Sequence, residues 1–203
     1  LVILSVRTLF AREHGLRVMG ARRYGRMALL FGLGCLSWWS RPAAAFDLTG
    51  TAWAAAAAPH RLDPALLYAI ALMESGRPRD GGLAPWPWTL WLPGRGGVFL
   101  ASRDQALNTL QANSGTPVDI GLMQVNLRWH GHRVGRPEEL LEPRRNLEIA
   151  ADILAEALAT APGDLELGIG RYHSPTEARA RSYGRTVLTI WQGLRRLPSG
   201  AGP

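Results

Sequence analysis

Residues 63–76 read Asp-Pro-Ala-Leu-Leu-Tyr-Ala-Ile-Ala-Leu-Met-Glu-Ser-Gly, and this stretch indicates the fold class. Asp63 before Pro64 is the pattern of a helix N-cap with proline at the first helical position, and Gly76 is typical of a helix stop. The stretch therefore predicts a helix through about Ser75. Its apolar residues recur at helical spacing and should form the buried face: Leu66, Leu67, Ile70 and Met73.

The flanking sequence predicts further helices and one different segment. Residues 77–101 are rich in Gly and Pro and alternate Trp86, Trp88 and Trp91, which favours a hairpin or a long ordered loop. We therefore predict a mostly α fold in a single domain with a Trp/Gly-rich insert. The other predicted helices are 53–58, 102–113 with a Ser102/Gln105 capping box, 137–141, 143–160, 164–172, and one that starts at a Ser174/Glu177 capping box and continues to Leu194.

The positive charge of the chain is concentrated in its first 45 residues. They hold seven arginines and one acid, whereas residues 46–203 hold 16 arginines and 15 acids, a net charge of +1. A nearly neutral body does not favour nucleic acid or an anionic membrane surface as a partner. We expect no nucleic-acid partner.

The first 45 residues have the form of a secretory signal peptide. Arginines precede the apolar run 27–36, and Ala43-Ala44-Ala45 resembles a cleavage site. We expect translation to start at Met19, cleavage to follow Ala45, and residues 46–203 to be a periplasmic catalytic domain without a stable membrane span. Lipoprotein processing at Cys35 and a twin-arginine signal at Arg22-Arg23 are the alternatives.

Glu74 is a candidate general acid. It lies in the last predicted turn of its helix, where the helix dipole disfavours an anion, and it follows four apolar residues. Both effects raise the pKa of a carboxyl group, and a protonated carboxyl group can donate a proton to a glycosidic oxygen. The alternative is an exposed glutamate at a helix end without a catalytic role.

Two motifs carry a family resemblance. Residues 71–76, Ala-Leu-Met-Glu-Ser-Gly, and 119–126, Asp-Ile-Gly-Leu-Met-Gln-Val-Asn, resemble the signature motifs of the soluble lytic transglycosylase family. Residues 146–150 resemble the helix start that follows in that family, and the likeness covers about residues 60–190. The resemblance implies a lysozyme-like domain of the goose type. Tyr172 and the pair Tyr183 and Val187 resemble later tyrosine motifs of the family.

The resemblance also implies an activity. Such enzymes cleave the β-1,4 bond between N-acetylmuramic acid and N-acetylglucosamine in peptidoglycan and form a 1,6-anhydro product, without a cofactor. Glu74 would act as acid and then as base. Tyr183 would pack beside the cleft or hydrogen-bond Glu74. The other residues implied to position the sugar and the glutamate are Ser75, Gly121, Met123, Gln124, Asn126 and Tyr172.

The chain departs from the family pattern at two places. His173, Ser174 and Pro175 stand where the family has asparagine and small residues, which puts that wall of the cleft in doubt. The insert 85–99 resembles transglycosylases of conjugative elements and of type IV secretion or pilus systems, whose subunits are then expected partners. Trp86 and Trp88 would stack on sugar rings or form an apolar flap on the helices.

Three alternative functions remain on sequence grounds. A lysozyme-like hydrolase would use water, and Asp119 is the candidate second carboxylate, although a residue two positions before Gly121 is more often a turn or cap residue. An inactive peptidoglycan-binding component of a secretion system would keep the cleft. A zinc amidase would use His130, His132 and His173, but their spacing matches no metalloprotease motif, and we predict no metal site.

Overall fold

The computed structural model describes residues 46–79 and 82–197. The chain divides into two units, Leu1–Trp39 and Ser40–Pro203, and all described residues belong to the second. The predictions made for the first 45 residues, which concern Met19, Cys35 and cleavage after Ala45, lie outside the described residues.

The described residues are mostly helical, with two small sheets, which confirms the predicted mostly α class. The α-helices are α1 (Ala52–Ala57), α2 (Pro64–Ser75), α3 (Arg103–Ala112), α4 (Leu127–His130), α5 (Pro143–Ala159), α6 (Leu165–Arg171) and α7 (Glu177–Leu194). Short 3₁₀ helices span Ala58–His60, Gly131–Arg133 and Pro137–Leu141. The strands are β1 (Gly76–Arg79), β2 (Gly82–Pro85), β3 (Thr89–Leu92), β4 (Gly96–Phe99), β5 (Asp119–Ile120) and β6 (Val125–Asn126).

Helix α2 lies at the centre of the core. The Asp63 side chain caps it by accepting from the amide of Ala65 at 2.8 Å, with Pro64 in the first turn, as predicted. Residues 65–72 are all buried, so this part of the helix is enclosed on every side and does not have the single apolar face that the spacing predicted. A helix that is apolar on every side must be surrounded by other elements. Here α1 and α7 pack against it.

Helix α7 runs beside α2 and hydrogen-bonds to it near both of its ends. Near the start of α2, the indole N–H of Trp191 donates to Asp63 Oδ2 at 2.9 Å, and near its end Tyr183 reaches Glu74. Helix α6 packs on α7 where Gly184 approaches closely: a Cβ at this position would lie 2.0 Å from the carbonyl oxygen of Glu166. This packing places the C-terminal end of α6 and the middle of α7 beside the last turn of α2.

The insert forms two hairpins, which confirms the predicted hairpin. Strands β1 and β2 pair antiparallel as a separate two-stranded sheet. Strands β3 and β4 pair antiparallel, and β3 also pairs with β5, which gives a four-stranded sheet in the order β4-β3-β5-β6. The insert is therefore continuous, through β3, with the motif segment 119–126.

Gly76 and Ser174 do not act as the sequence predicted. Gly76 ends α2 in an extended conformation, with φ −62° and ψ 126°, and not in the left-handed one. A Cβ at this position would lie 2.3 Å from the carbonyl oxygen of Leu72, so close approach is what favours glycine. Ser174 does not cap α7, because its amide still bonds Gly170 and its hydroxyl accepts from the amide of Thr176, the actual N-cap.

Within the described ranges, no helix combines the length and the apolar character needed to cross a bilayer.

Candidate active site

Glu74 lies in the last turn of α2 and is partly buried. Its Oε1 accepts a hydrogen bond of 2.6 Å from the hydroxyl group of Tyr183, a buried residue of α7. The side chain is therefore held by a residue far away in sequence and is not the fully exposed helix-end glutamate of the alternative interpretation.

The surroundings raise the pKa of Glu74 from 4.5 to about 7. Burial is the largest cause, because it disfavours the charged form, and the hydrogen bond from Tyr183 opposes it. The negative charge of Asp119 raises the pKa further. Glu74 keeps some solvent access while protein atoms enclose it on most sides. A substantial fraction of this carboxyl group is consequently protonated near neutral pH.

Asp119 is a second carboxylate near Glu74. It lies in β5 and accepts a hydrogen bond from the Nδ2 of Asn126 in β6. Burial raises the pKa of Asp119, and the bond from Asn126 counteracts that rise. Asn126 also caps α4, because its Oδ1 accepts from the amide of Arg128 at 2.9 Å. The predicted residues Asp119 and Asn126 thus form one polar pair.

The tight turn between β5 and β6 needs a glycine and accommodates one strained residue. Gly121 has φ +85°, and a Cβ there would lie 2.5 Å from the Nδ2 of Asn146. Gln124 has φ +48° and is held by its side-chain amide, which donates to the carbonyl oxygens of Thr89 (3.0 Å) and Gly121 (2.9 Å). Gln124 therefore stabilises the turn through the backbone of β3.

Two buried residues, Met123 and Ser75, stabilise the turn between β5 and β6. The Met123 side chain is fully buried, so it belongs to the core, and it is the Met123 backbone that lies beside the site. The Ser75 hydroxyl, also buried, donates to the carbonyl oxygen of Leu122 at 2.7 Å. Ser75 thus ties the end of α2 to the turn and does not face solvent.

Asn146, absent from the predicted site residues, is the main polar anchor of this turn. It is fully buried in the first turn of α5. Its Oδ1 accepts from the amide of Met123 (2.9 Å), and its Nδ2 donates to the carbonyl oxygens of Ile120 (2.8 Å) and Leu140 (3.1 Å). The resemblance at residues 146–150 marked its position, whereas the flanking polar residues Arg144, Arg145 and Glu148 left no local signal that Asn146 alone would be buried.

Two tyrosines face the carboxylates. The hydroxyl group of Tyr172, at the C-terminal end of α6, donates to the carbonyl oxygen of Met123 at 2.7 Å. Burial and then the charges of Glu74 and Asp119 hold its pKa well above the usual range. Burial and the neighbouring Glu74 do the same for Tyr183. Both hydroxyl groups therefore remain protonated donors at neutral pH.

His173 stacks on Tyr183. The two rings are 4.6 Å apart between centroids and inclined by 2°, while the other side of the imidazole is exposed. Burial of the stacked side and then the charge of Arg179 lower the pKa of His173. The residue that departs from the family pattern thus supports the tyrosine that holds Glu74.

The predicted tryptophans differ in what covers them. Arg77 and Arg79 place their guanidinium carbons 4.5 Å and 5.2 Å from the ring centroid of Trp86, whose N–H donates to the carbonyl oxygen of Leu100 at 2.7 Å. Trp88 packs against the hydrophobic core and meets Trp86 edge-on at 5.2 Å. Both rings are half-buried and packed against protein groups, so the structure places them closer to the predicted apolar flap than to open platforms for sugar rings.

A depression of about 480 Å³ borders the site. It shares Tyr172 with the predicted site residues and does not include Glu74. Among the residues that the structure describes, no group of three or more His, Cys, Asp or Glu side chains could hold a metal ion. The other residues that line the depression are His130, Ile153, Glu156, Ala157, Thr160, Arg171 and Pro175.

The described structure brings most predicted residues to one place, around the end of α2 and the turn between β5 and β6. Glu74, Asp119 and the two tyrosines form its polar centre, and the turn residues support it. Comparisons with protein-family models, with curated proteins and with solved structures found no match for this chain.

Proposed function

We propose that this chain is a peptidoglycan lytic transglycosylase with a lysozyme-like domain of the goose type. Its substrate would be the glycan strand, cleaved at the β-1,4 bond between N-acetylmuramic acid and N-acetylglucosamine. The observation that carries the proposal is Glu74: a carboxyl group with a pKa of about 7, partly accessible and held by Tyr183. A general acid works best when its pKa is near the working pH.

The proposed reaction uses Glu74 twice. Protonated Glu74 donates its proton to the glycosidic oxygen as the bond from that oxygen to C1 of muramic acid breaks. The N-acetyl group of the substrate stabilises the positive charge that develops at C1. The C6 hydroxyl group then attacks C1 and passes its proton to the Glu74 carboxylate, which restores the acid and forms the 1,6-anhydro ring.

Other residues would position this carboxyl group. The hydroxyl group of Tyr183 leaves Oε2 of Glu74 free for the substrate because it bonds Oε1. Tyr172 and Asn146 hold the backbone of Met123 on both sides of its Cα, because Tyr172 donates to its carbonyl oxygen and Asn146 accepts from its amide. The turn is thereby fixed relative to Glu74, which favours a preorganised site.

A lysozyme-like hydrolase is the second candidate, and Asp119 favours it. Its charge is near enough to Glu74 to raise the pKa of that group, and Asn126 orients it. In a hydrolase this carboxylate would stabilise the charge at C1, or bond to it, until water attacks. The product would then carry a reducing end in place of an anhydro ring.

The setting is part of the proposal. We infer export to the periplasm from the signal-peptide pattern of residues 1–45, and local opening of the wall for a conjugation, secretion or pilus apparatus from the Trp-rich insert. The inactive peptidoglycan-binding component is the alternative that keeps the same setting without catalysis.

Digestion of purified sacculi tests the activity. The wild-type chain should release muropeptides with 1,6-anhydro ends, lighter by one water than reducing ends in mass spectra. Glu74→Gln should abolish release, whereas Glu177→Gln, at an exposed glutamate of α7, should not. Products with reducing ends alone would indicate the hydrolase. If none of the three proteins releases muropeptides, the inactive peptidoglycan-binding component is the interpretation that remains.

A further inference from the structure

One face of the four-stranded sheet, here called the outer face, carries a row of paired residues. The register aligns Gly97 of β4 with Trp91 of β3, Trp91 with Asp119 of β5, and Asp119 with Asn126 of β6. Directly paired residues point to the same side of a sheet. The hydrogen bond from Asn126 to Asp119 is consistent with that placement.

The opposite face belongs to the core. Leu90, Ile120 and Val125 alternate with the residues of the row, and all three are buried. The outer face therefore belongs to a firmly packed sheet, and the exposure of its side chains is a consequence of the register.

Trp91 is the open aromatic side chain of the outer face. Its side chain is 44% exposed although its strand neighbours Leu90 and Leu92 are buried. Its partner on the edge strand, Gly97, has no side chain that could cover the indole. Trp86 and Trp191 donate their indole N–H groups to protein oxygens, whereas no described residue accepts from that of Trp91.

The row combines this aromatic ring with polar groups that already belong to the candidate active site. Asp119 is adjacent to Trp91 and close enough to Glu74 to raise its pKa. A pyranose ring has one apolar face of C–H groups and a rim of hydroxyl and acetamido groups. An aromatic ring matches the former, and the carboxylate and amide of Asp119 and Asn126 match the latter.

We infer that the outer face of the sheet is a sugar-binding subsite, with Trp91 as the platform for one N-acetylhexosamine ring of the glycan strand. The inference rests on the proposed glycan substrate. The ring would lie with its C–H face on the indole and its polar rim toward Asp119 and Asn126, beside Glu74. The insert thus contributes to substrate binding through Trp91, the tryptophan that neither arginines nor the core cover.

Binding of a soluble glycan tests the subsite independently of catalysis. The full chain carrying Glu74→Gln is titrated calorimetrically with the β-1,4-linked tetramer of N-acetylglucosamine. Adding Trp91→Ala should weaken binding by about tenfold, the size expected for one aromatic contact, and Trp91→Phe should fall between the two. Trp129→Ala is the matched control, because Trp129 is 68% exposed and lies outside the row; it should change affinity by no more than about twofold.

The outcomes distinguish a failure of the proposed subsite from a failure of the proposed enzymatic activity. Unchanged affinity in Trp91→Ala, or no binding of the tetramer by the parent, would overturn the subsite even if the wild-type chain cleaves sacculi. Trp91-dependent binding by a chain that releases no muropeptides would support the subsite and reject the enzymatic proposal. Trp91→Phe keeps an aromatic ring at this position, so it guards against loss of binding through misfolding.

Discussion

Replacing Glu74 by Gln should stabilise the protein, and the gain should grow with pH. The folded chain holds the pKa of Glu74 at about 7 instead of 4.5, so ionising this group costs more in the folded than in the unfolded state. At 1.36 kcal/mol per pKa unit the difference corresponds to about 3 kcal/mol. Gln has nearly the same shape, and its carbonyl oxygen can still accept from Tyr183.

The sign follows from which state binds the proton more tightly. Below pH 4.5 Glu74 is protonated in both states, so it carries no ionisation penalty. Between pH 4.5 and about 7 the unfolded chain releases this proton first, and the wild-type chain loses stability. Above about pH 8 the loss is complete. The free-energy difference between Glu74→Gln and wild type should therefore increase by about 3 kcal/mol from pH 4 to pH 8.

Urea unfolding at pH 4, 6 and 8 measures this difference for each protein. Any cost of burying the new amide is independent of pH and cancels when the pH values are compared. Asp104→Asn, at an exposed carboxylate in the first turn of α3, is the control. At pH 8 this variant should lose about 0.5 kcal/mol of unfolding free energy at most, because the helix dipole stabilises a negative charge in the first turn. A gain in Glu74→Gln that stays constant or shrinks as pH rises would refute the reasoning.

Three further substitutions test the site. Tyr183→Phe removes the donor that lowers the pKa of Glu74, so the alkaline limb of the pH–activity profile on sacculi should move to higher pH. Asp119→Asn removes the negative charge that raises the same pKa, so that limb should move to lower pH; movement of both variants in one direction would contradict the electrostatic account. Asn146→Ala leaves one buried amide and two buried carbonyl groups without their partner, and urea unfolding should show a loss of at least about 2 kcal/mol. A loss in Asn146→Ala within the range of an ordinary surface substitution would mean that the turn is held by other contacts.

The helices were predictable because their signals are local. Asp63 with Pro64 starts α2 in the structure as in the sequence, and the Ser102 hydroxyl accepts from the amide of Gln105 at the start of α3. Even here local reasoning was incomplete. The predicted capping box also requires the Gln105 side chain to accept from the amide of Ser102. In the structure it accepts from the amide of Ala101 instead, so only half of the box forms.

The candidate site was predictable in part. The position of Glu74 at a helix end among apolar residues indicated a raised pKa, and Asp119 was named as the candidate second carboxylate. The sequence could not show which side chains of the motif segment 119–126 point into the core. Met123 lies in the same motif as Gln124, yet its side chain points into the core, because the turn at Gly121 and the anchor at Asn146 set which side of this segment faces inward.

The sequence by itself determined most helical elements and several of their caps, and it indicated a raised pKa for the Glu74 carboxyl group, because these depend on residues a few positions apart. The tertiary structure decided the neighbours of that group. Tyr183, which bonds Glu74, lies 109 residues away in the chain. The register between β3 and β5 determined that Trp91 shares a face with Asp119, and Arg77 and Arg79 cover the ring of Trp86. Contacts of this kind form only when distant segments pack, so local patterns cannot specify them.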